Sequence, residues 1–251
     1  MRKIRVFEAF AGYGSTAIAM KRLQRAFPGE VDFEFVGISE IEPTAIKAYR
    51  AIHGNSDNFG DICKINTAKL PDFDLFTYSF PCTSVSSAGK QEGLAKGSGT
   101  ASSLLWECER IIKAKRPRYL LMENVKALTQ RKFMPFFAEW INLLDGYGYT
   151  TVWKILNAKD YGVAQNRERV FAVSILRTAD DPNPTYNFPN PLPLDKCVED
   201  YVEPAEEIGE EYYISQERIT DKVLSDVLDQ PNVRAEMEKL YHEEWNEASA
   251  D

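Results

Sequence analysis

Over the first 180 residues, short apolar runs alternate with stretches of helical apolar spacing, and few folds accept that alternation. The runs Ile4–Ala9, Phe33–Ser39, Asp74–Tyr78, Tyr119–Glu123, Thr150–Ile155 and Arg169–Ile175 read as strands. Between them, Ser15–Ala26, Pro43–His53, Ser103–Lys115 and Phe133–Leu144 repeat apolar residues at helical spacing. Pro43 suits a first helical turn, where its missing N–H would have no partner anyway. The pattern predicts an α/β domain: a doubly wound, mostly parallel sheet. The proline-rich run from Asp180 to Pro193 can continue neither element, because proline removes a backbone donor and restricts its predecessor. The expected division is therefore a domain over 1–180 and, over 181–251, a linker and tail with two helices near Gln216–Leu228 and Val233–Trp245. No internal repeat interrupts the pattern.

Charge divides the chain in the same way. The net charge of -8 hides a tail, 195–251, with 18 acidic and 5 basic residues, and a body, 1–194, with 20 acidic and 25 basic. A mildly basic body can approach phosphates, whereas the tail repels them or meets a basic protein surface. No apolar run is long enough for a signal peptide or a membrane span, so a cytoplasmic protein without membrane attachment is expected. Cys63, Cys82, Cys108 and Cys197 lie far apart, and only His53 and His242 could join them as soft ligands, which argues against a structural zinc site.

Two loops carry the chemistry. After the first strand comes Phe10-Ala11-Gly12-Tyr13-Gly14-Ser15 and then a helix, where glycines let the backbone approach a ligand. A tight strand-to-helix turn would read the same way. Glu40, ending the second strand, can accept both hydroxyls of a ribose, which favours a nucleoside-type cofactor. Asp61 could accept from an adenine amine, or be a solvated turn residue. The third strand runs into Ser79-Phe80-Pro81-Cys82, followed by the Ser- and Gly-rich stretch to Gly93. That stretch is expected to close over a substrate, with Cys82 as nucleophile beneath it. The other three cysteines are expected to be small buried residues. With two histidines in the chain, a Cys-His pair is not expected.

Taken together, Phe10 to Ser15, Pro81-Cys82, Glu123-Asn124-Val125 and Gln165-Asn166-Arg167-Glu168-Arg169 stand in the order found in the cytosine-C5 DNA methyltransferase family, which the chain resembles over about residues 1–175. The resemblance implies a Rossmann-like fold, S-adenosylmethionine as cofactor, double-stranded DNA as substrate, and a setting of DNA methylation or restriction-modification. It implies that Cys82 adds to C6 of a flipped cytosine so that C5 can take a methyl group. Glu123 would hold N3 and the exocyclic amine, which requires a proton on its carboxyl and hence a raised pKa. Arg167 and Arg169, read as facing opposite sides of an extended segment, would divide between cytosine O2, assigned to Arg169, and a phosphate or structural carboxylate. For the cofactor, it implies Phe10, Gly12, Gly14 and Ser15 at the methionine end, with Phe80 nearby. Glu40 would sit on the ribose, Ile41 and Ile62 against adenine, Asp61 on its amine and Leu104 as a wall. Leu104 and Trp106 also read as core.

The sequence departs from the family pattern at Thr83 and Val85, where Gln and an aromatic residue are usual, and at Ala101, where Arg is common. No Gly-Asn-Ser-Val segment follows, and no target-recognition region is evident. A second polypeptide supplying both is therefore expected. The competing readings are an inactive cofactor-binding or interaction subunit and a tRNA cytosine-C5 methyltransferase, the latter disfavoured by Ser86-Ser87-Ala88-Gly89-Lys90.

Overall fold

The computed structural model describes residues 3–81, 99–204, 207 and 209. Along the chain run β1 (Lys3–Ala9), α1 (Ser15–Ala26), β2 (Asp32–Ser39), α2 (Pro43–His53), β3 (Leu75–Tyr78), α3 (Leu105–Lys115), β4 (Tyr119–Val125), α4 (Met134–Gly146), β5 (Tyr149–Asn157) and β6 (Glu168–Leu176). The strands form one sheet in the order β2-β1-β3-β4-β6-β5. β1, β2, β3 and β4 are mutually parallel, and β6 runs antiparallel to both β4 and β5. This is the mostly parallel α/β sheet expected from the alternation.

Strand parity sorts the core into two layers, since successive side chains leave a strand on opposite faces. On one face, Phe7, Phe76, Tyr78, Leu120, Met122, Val170 and Ala172 meet Leu105, Cys108 and Ile111 of α3 and Phe137, Trp140 and Leu144 of α4. On the other, Val6 and Leu75 meet Met20 of α1, with Ile4, Phe33, Phe35 and Leu121 packed around them. The sheet is thus covered on both sides, as parallel strands require.

Several boundaries move by one or two residues, and two of the shifts have clear local reasons. α3 starts at Leu105 rather than Ser103, because the Thr100 side chain accepts from Ser103 N and caps a 3-10 turn over Ala101–Leu104. β4 continues to Val125 because β6 pairs Glu123 with Phe171, Asn124 with Val170 and Val125 with Arg169. Two cysteines also differ from expectation. Cys108 is buried, but Cys63 and Cys197 are exposed, each beside a polar turn in which an acidic side chain accepts from nearby backbone N–H groups.

The chain separates into two units, Met1–Lys196 and Cys197–Asp251. In the first, the stretch after β6 is irregular and tied down locally: Arg118 pairs with Asp181 at 2.7 Å, and Leu192 N donates to Asp160 O at 2.8 Å. In the second, the described residues form one short turn, Val198–Tyr201. The two helices expected in the tail lie outside the described residues. Among the described residues, no helix is long and apolar enough to cross a membrane.

β1 has β2 on one side and β3 on the other, so successive connections leave it in opposite directions. Such a switch point opens a crevice at the carboxyl ends of the strands. The loops after β1, β2, β3 and β4 all converge there.

Candidate active site

The crevice has two differently built ends. At the first, the chain leaves β1 through three left-handed residues, Phe10 (φ 56°), Gly12 (φ 57°) and Gly14 (φ 83°). Phe10 N donates to Ser39 O at 2.8 Å, and Gly12 N donates to Glu40 Oε2 at 2.7 Å. The other carboxylate oxygen, Oε1, accepts from Ile41 N at 2.8 Å and Glu42 N at 2.9 Å. Glu40, the residue after β2, therefore shapes the glycine loop. Its Oε2 keeps acceptor capacity for a hydroxyl, whereas Oε1 already accepts from two N–H groups. A Cβ on Gly12 would meet nothing within 4 Å, so the backbone there stands open to a ligand. These features fit a nucleoside-type cofactor.

Asn58 is a residue whose part at this end the sequence did not betray. Its Oδ1 accepts from Glu40 N at 3.1 Å and Gly60 N at 3.0 Å, while its Nδ2 donates to Glu40 O at 2.9 Å. It stitches the end of β2 to the turn carrying Asp61. Asp61 Oδ1 accepts from Cys63 N at 3.0 Å, and that bond, with Lys64, holds the carboxyl below its ordinary range. Ile41 is exposed at 68%, whereas Ile62 is buried in the core, so the two isoleucines offer very different surfaces. Phe80 is buried, and Phe10 and Leu104 are partly buried against the same core, with Trp106 buried nearby.

At the second end, β3 and β4 lie in register and Ser79 faces Glu123: Ser79 Oγ donates to Glu123 Oε2 at 2.8 Å. Glu123 Oε1 pairs with Arg169 Nε at 3.2 Å. The chain beyond Ser79 is pinned at two carbonyls. Asn124 Nδ2 donates to Phe80 O at 3.0 Å, and Ser102 Oγ donates to Pro81 O at 2.8 Å. Pro81 is the last described residue before Cys82. Cys82 and the stretch from Thr83 to Gly93 lie outside the described residues.

A cavity of about 670 Å³ opens between these ends, lined by Glu8, Phe10, Ser15, Thr16, Thr77, Ser79, Glu123, Gln165, Arg167 and Phe171 among others. That volume suits a small-molecule or single-nucleotide ligand. Glu40, Asp61, Ile62 and Leu104 do not line it. A smaller recess of about 350 Å³ adjoins it at Glu123, and both Arg167 and Arg169 border that recess. This corrects the expectation that the two arginines face opposite sides. Residues two apart in extended chain share a side, and Arg167 precedes β6 altogether.

The model of the family described as C-5 cytosine-specific DNA methylase matches residues 4–249. The chain belongs to that family. The match takes in the acidic tail as well as the sheet. Among curated proteins, the chain is 38% identical over 279 residues to Type II methyltransferase M2.ScrFI of Lactococcus lactis subsp. cremoris, covering 90% of this chain and 74% of that one. It is 33% identical over 236 residues to Orphan methyltransferase M.SssI of Spiroplasma monobiae, covering 70% and 60%. Among solved structures it resembles Entamoeba histolytica methyltransferase EhMeth, with a TM-score of 0.67, 18% identity, and 89% and 67% coverage. It also resembles the S. pombe Dnmt2 methyltransferase, with a TM-score of 0.62, 20% identity, and 87% and 64% coverage. At those identities the structures speak for the fold alone, a Rossmann-like sheet.

Proposed function

We propose that this chain methylates C5 of cytosine in double-stranded DNA, using S-adenosylmethionine, by a covalent route through Cys82. The observation that carries the reading is the set of groups around Glu123 at the crevice. A carboxyl paired with Arg169 and Ser79 borders a recess, and the chain leading into Pro81-Cys82 starts at that same Ser79. Cytosine flipped out of the duplex would enter this recess, with unstacking costing a few kcal/mol. Glu123 would engage N3 and the exocyclic amine while Arg169 engages O2. Cys82 would add as thiolate to C6, which places electron density on C5. The cofactor, when bound, supplies the methyl group that C5 takes. Loss of the C5 proton to a base then expels Cys82 and restores the ring.

For the cofactor, the chain offers Phe10, Gly12, Gly14 and Ser15 at the methionine end, with Phe80 close by. Glu40 would meet the ribose hydroxyls, Ile41 and Ile62 the adenine faces, Asp61 the amine, and Leu104 the wall. Target choice and the closing segment are assigned to a second polypeptide. The family match includes a strongly acidic stretch suited to a basic partner. We place the reaction in the cytoplasm.

The test is adduct trapping on duplex DNA containing 5-fluorocytosine with S-adenosylmethionine, with and without a candidate partner. A complex that survives denaturation, forms with wild type and is lost in Cys82→Ala is expected, and it should be strongest with the partner present. No Cys82-dependent adduct in either arm would overturn the covalent assignment. Full activity without a partner would remove the second chain, and labelling of tRNA instead of DNA would replace the substrate.

A further inference from the structure

Behind the glycine loop sits a group that the reaction does not use. His53, the last residue of α2, places Nε2 3.1 Å from Tyr13 O, inside the loop, and Nδ1 3.1 Å from Lys21 Nζ of α1. An ammonium can only donate, so Nδ1 must be the acceptor. The ring proton therefore lies on Nε2 and is donated to the Tyr13 carbonyl. Burial, and then the Lys21 charge, keep the imidazole below its ordinary range, in keeping with this neutral form. The ring is steadied from beneath by Tyr49, at 4.5 Å between centroids, and Tyr49 OH donates to Glu8 Oε2 at 2.8 Å. Glu8 in turn lines the large cavity.

Gly14 reports how closely this arrangement clasps the loop. A Cβ there would come within 2.4 Å of His53 Nε2 and 2.7 Å of the Tyr49 ring. Glu40 holds the loop through Gly12 from one side, and His53 holds it through Tyr13 from the other.

We propose that His53 is a positioning residue for the cofactor, setting the Tyr13–Gly14 peptide through its Nε2–H so that the glycine loop is formed before S-adenosylmethionine arrives. The inference rests on the cofactor reading above. It places His53 outside contact with substrate, acting through the loop. Losing one such hydrogen bond should let the loop open more often and make binding supply the ordering, which weakens affinity without altering the chemical step.

Two variants of the full chain separate this from a packing role. His53→Phe keeps a ring against Tyr49 but removes the donor, whereas His53→Gln keeps an N–H able to reach Tyr13 O. In the absence of cofactor, amide hydrogen exchange over Tyr13–Thr16 should quicken about tenfold in His53→Phe and stay near wild type in His53→Gln. The dissociation constant for S-adenosylmethionine should rise about five- to tenfold in His53→Phe alone, with single-turnover methyl transfer at saturating cofactor within about twofold of wild type. Unchanged exchange in His53→Phe overturns the proposal, as does equal weakening in both variants. Faster exchange with unchanged affinity also overturns it, since the loop would then not limit binding. If wild type itself binds no S-adenosylmethionine while the exchange contrast holds, the cofactor reading fails and the loop anchor stands.

Discussion

The two ends of the crevice are built from different materials. At the β1–β2 end, the loop's course is set mainly by backbone groups: three left-handed residues, and N–H and C=O groups taken up by Glu40, Asn58 and His53. At the β3–β4–β6 end, the shape is set by side chains meeting across strands, with Glu123 between Ser79 and Arg169. A backbone-built site is pre-ordered and resists change of residue. A side-chain-built site can exchange its internal pairs for substrate. The first therefore suits holding a constant cofactor, and the second suits chemistry on a base that must enter and leave.

The comparison predicts that damage at the second end strikes turnover and damage at the first strikes affinity and stability. The largest effect is expected for Cys82→Ala, which should lower single-turnover methyl transfer by on the order of 10⁴-fold or more while leaving cofactor affinity unchanged. Next, Glu123→Gln should cost on the order of 10²- to 10⁴-fold in the same assay, again with cofactor affinity preserved. A comparable loss of S-adenosylmethionine binding in either variant would break the division of labour.

At the other end, Gly14→Ala should destabilise the fold by about 2–4 kcal/mol in urea denaturation. The added methyl meets His53 and Tyr49 at a positive φ, which combines overpacking with backbone strain. Wild-type stability in that variant would show that the clasp yields easily.

The smallest effect concerns Glu8. Burial pushes its carboxyl up to about 7 from an ordinary 4.5, against the opposing pull of the Tyr49 hydrogen bond. A carboxyl raised in the folded state contributes stability that is fully present below about 4.5 and is lost as pH rises through about 7. At 1.36 kcal/mol per pH unit, the loss above pH 7 reaches at most about 3 kcal/mol. Glu8→Gln should therefore be more stable than wild type at pH 8 by about 1–3 kcal/mol, and the difference should vanish near pH 4. Parallel stability curves for the two proteins would remove Glu8 from the account.

Much of this was legible along the chain. α1 and α2 fall where the apolar spacing puts them, and all six strands are present, because period and turn chemistry act over a few residues. The loops bearing Gly12, Glu40 and Pro81, and the strand end bearing Glu123, could be marked for the same reason. Asn58, His53 and Glu8 could not. Their roles depend on partners 18, 40 and 41 residues away, supplied by elements whose adjacency a local pattern does not encode.

By itself, then, the sequence determined the element order, the two-faced core and the residue types at each strand end, since hydrophobic period and backbone restriction are local. Only the tertiary structure decided that Arg167 and Arg169 border one recess, that Glu40 shapes the glycine loop, and that an imidazole from α2 holds the loop's far side. Those are matters of register and crossover, and they are settled when the whole sheet closes around its core rather than by any segment alone.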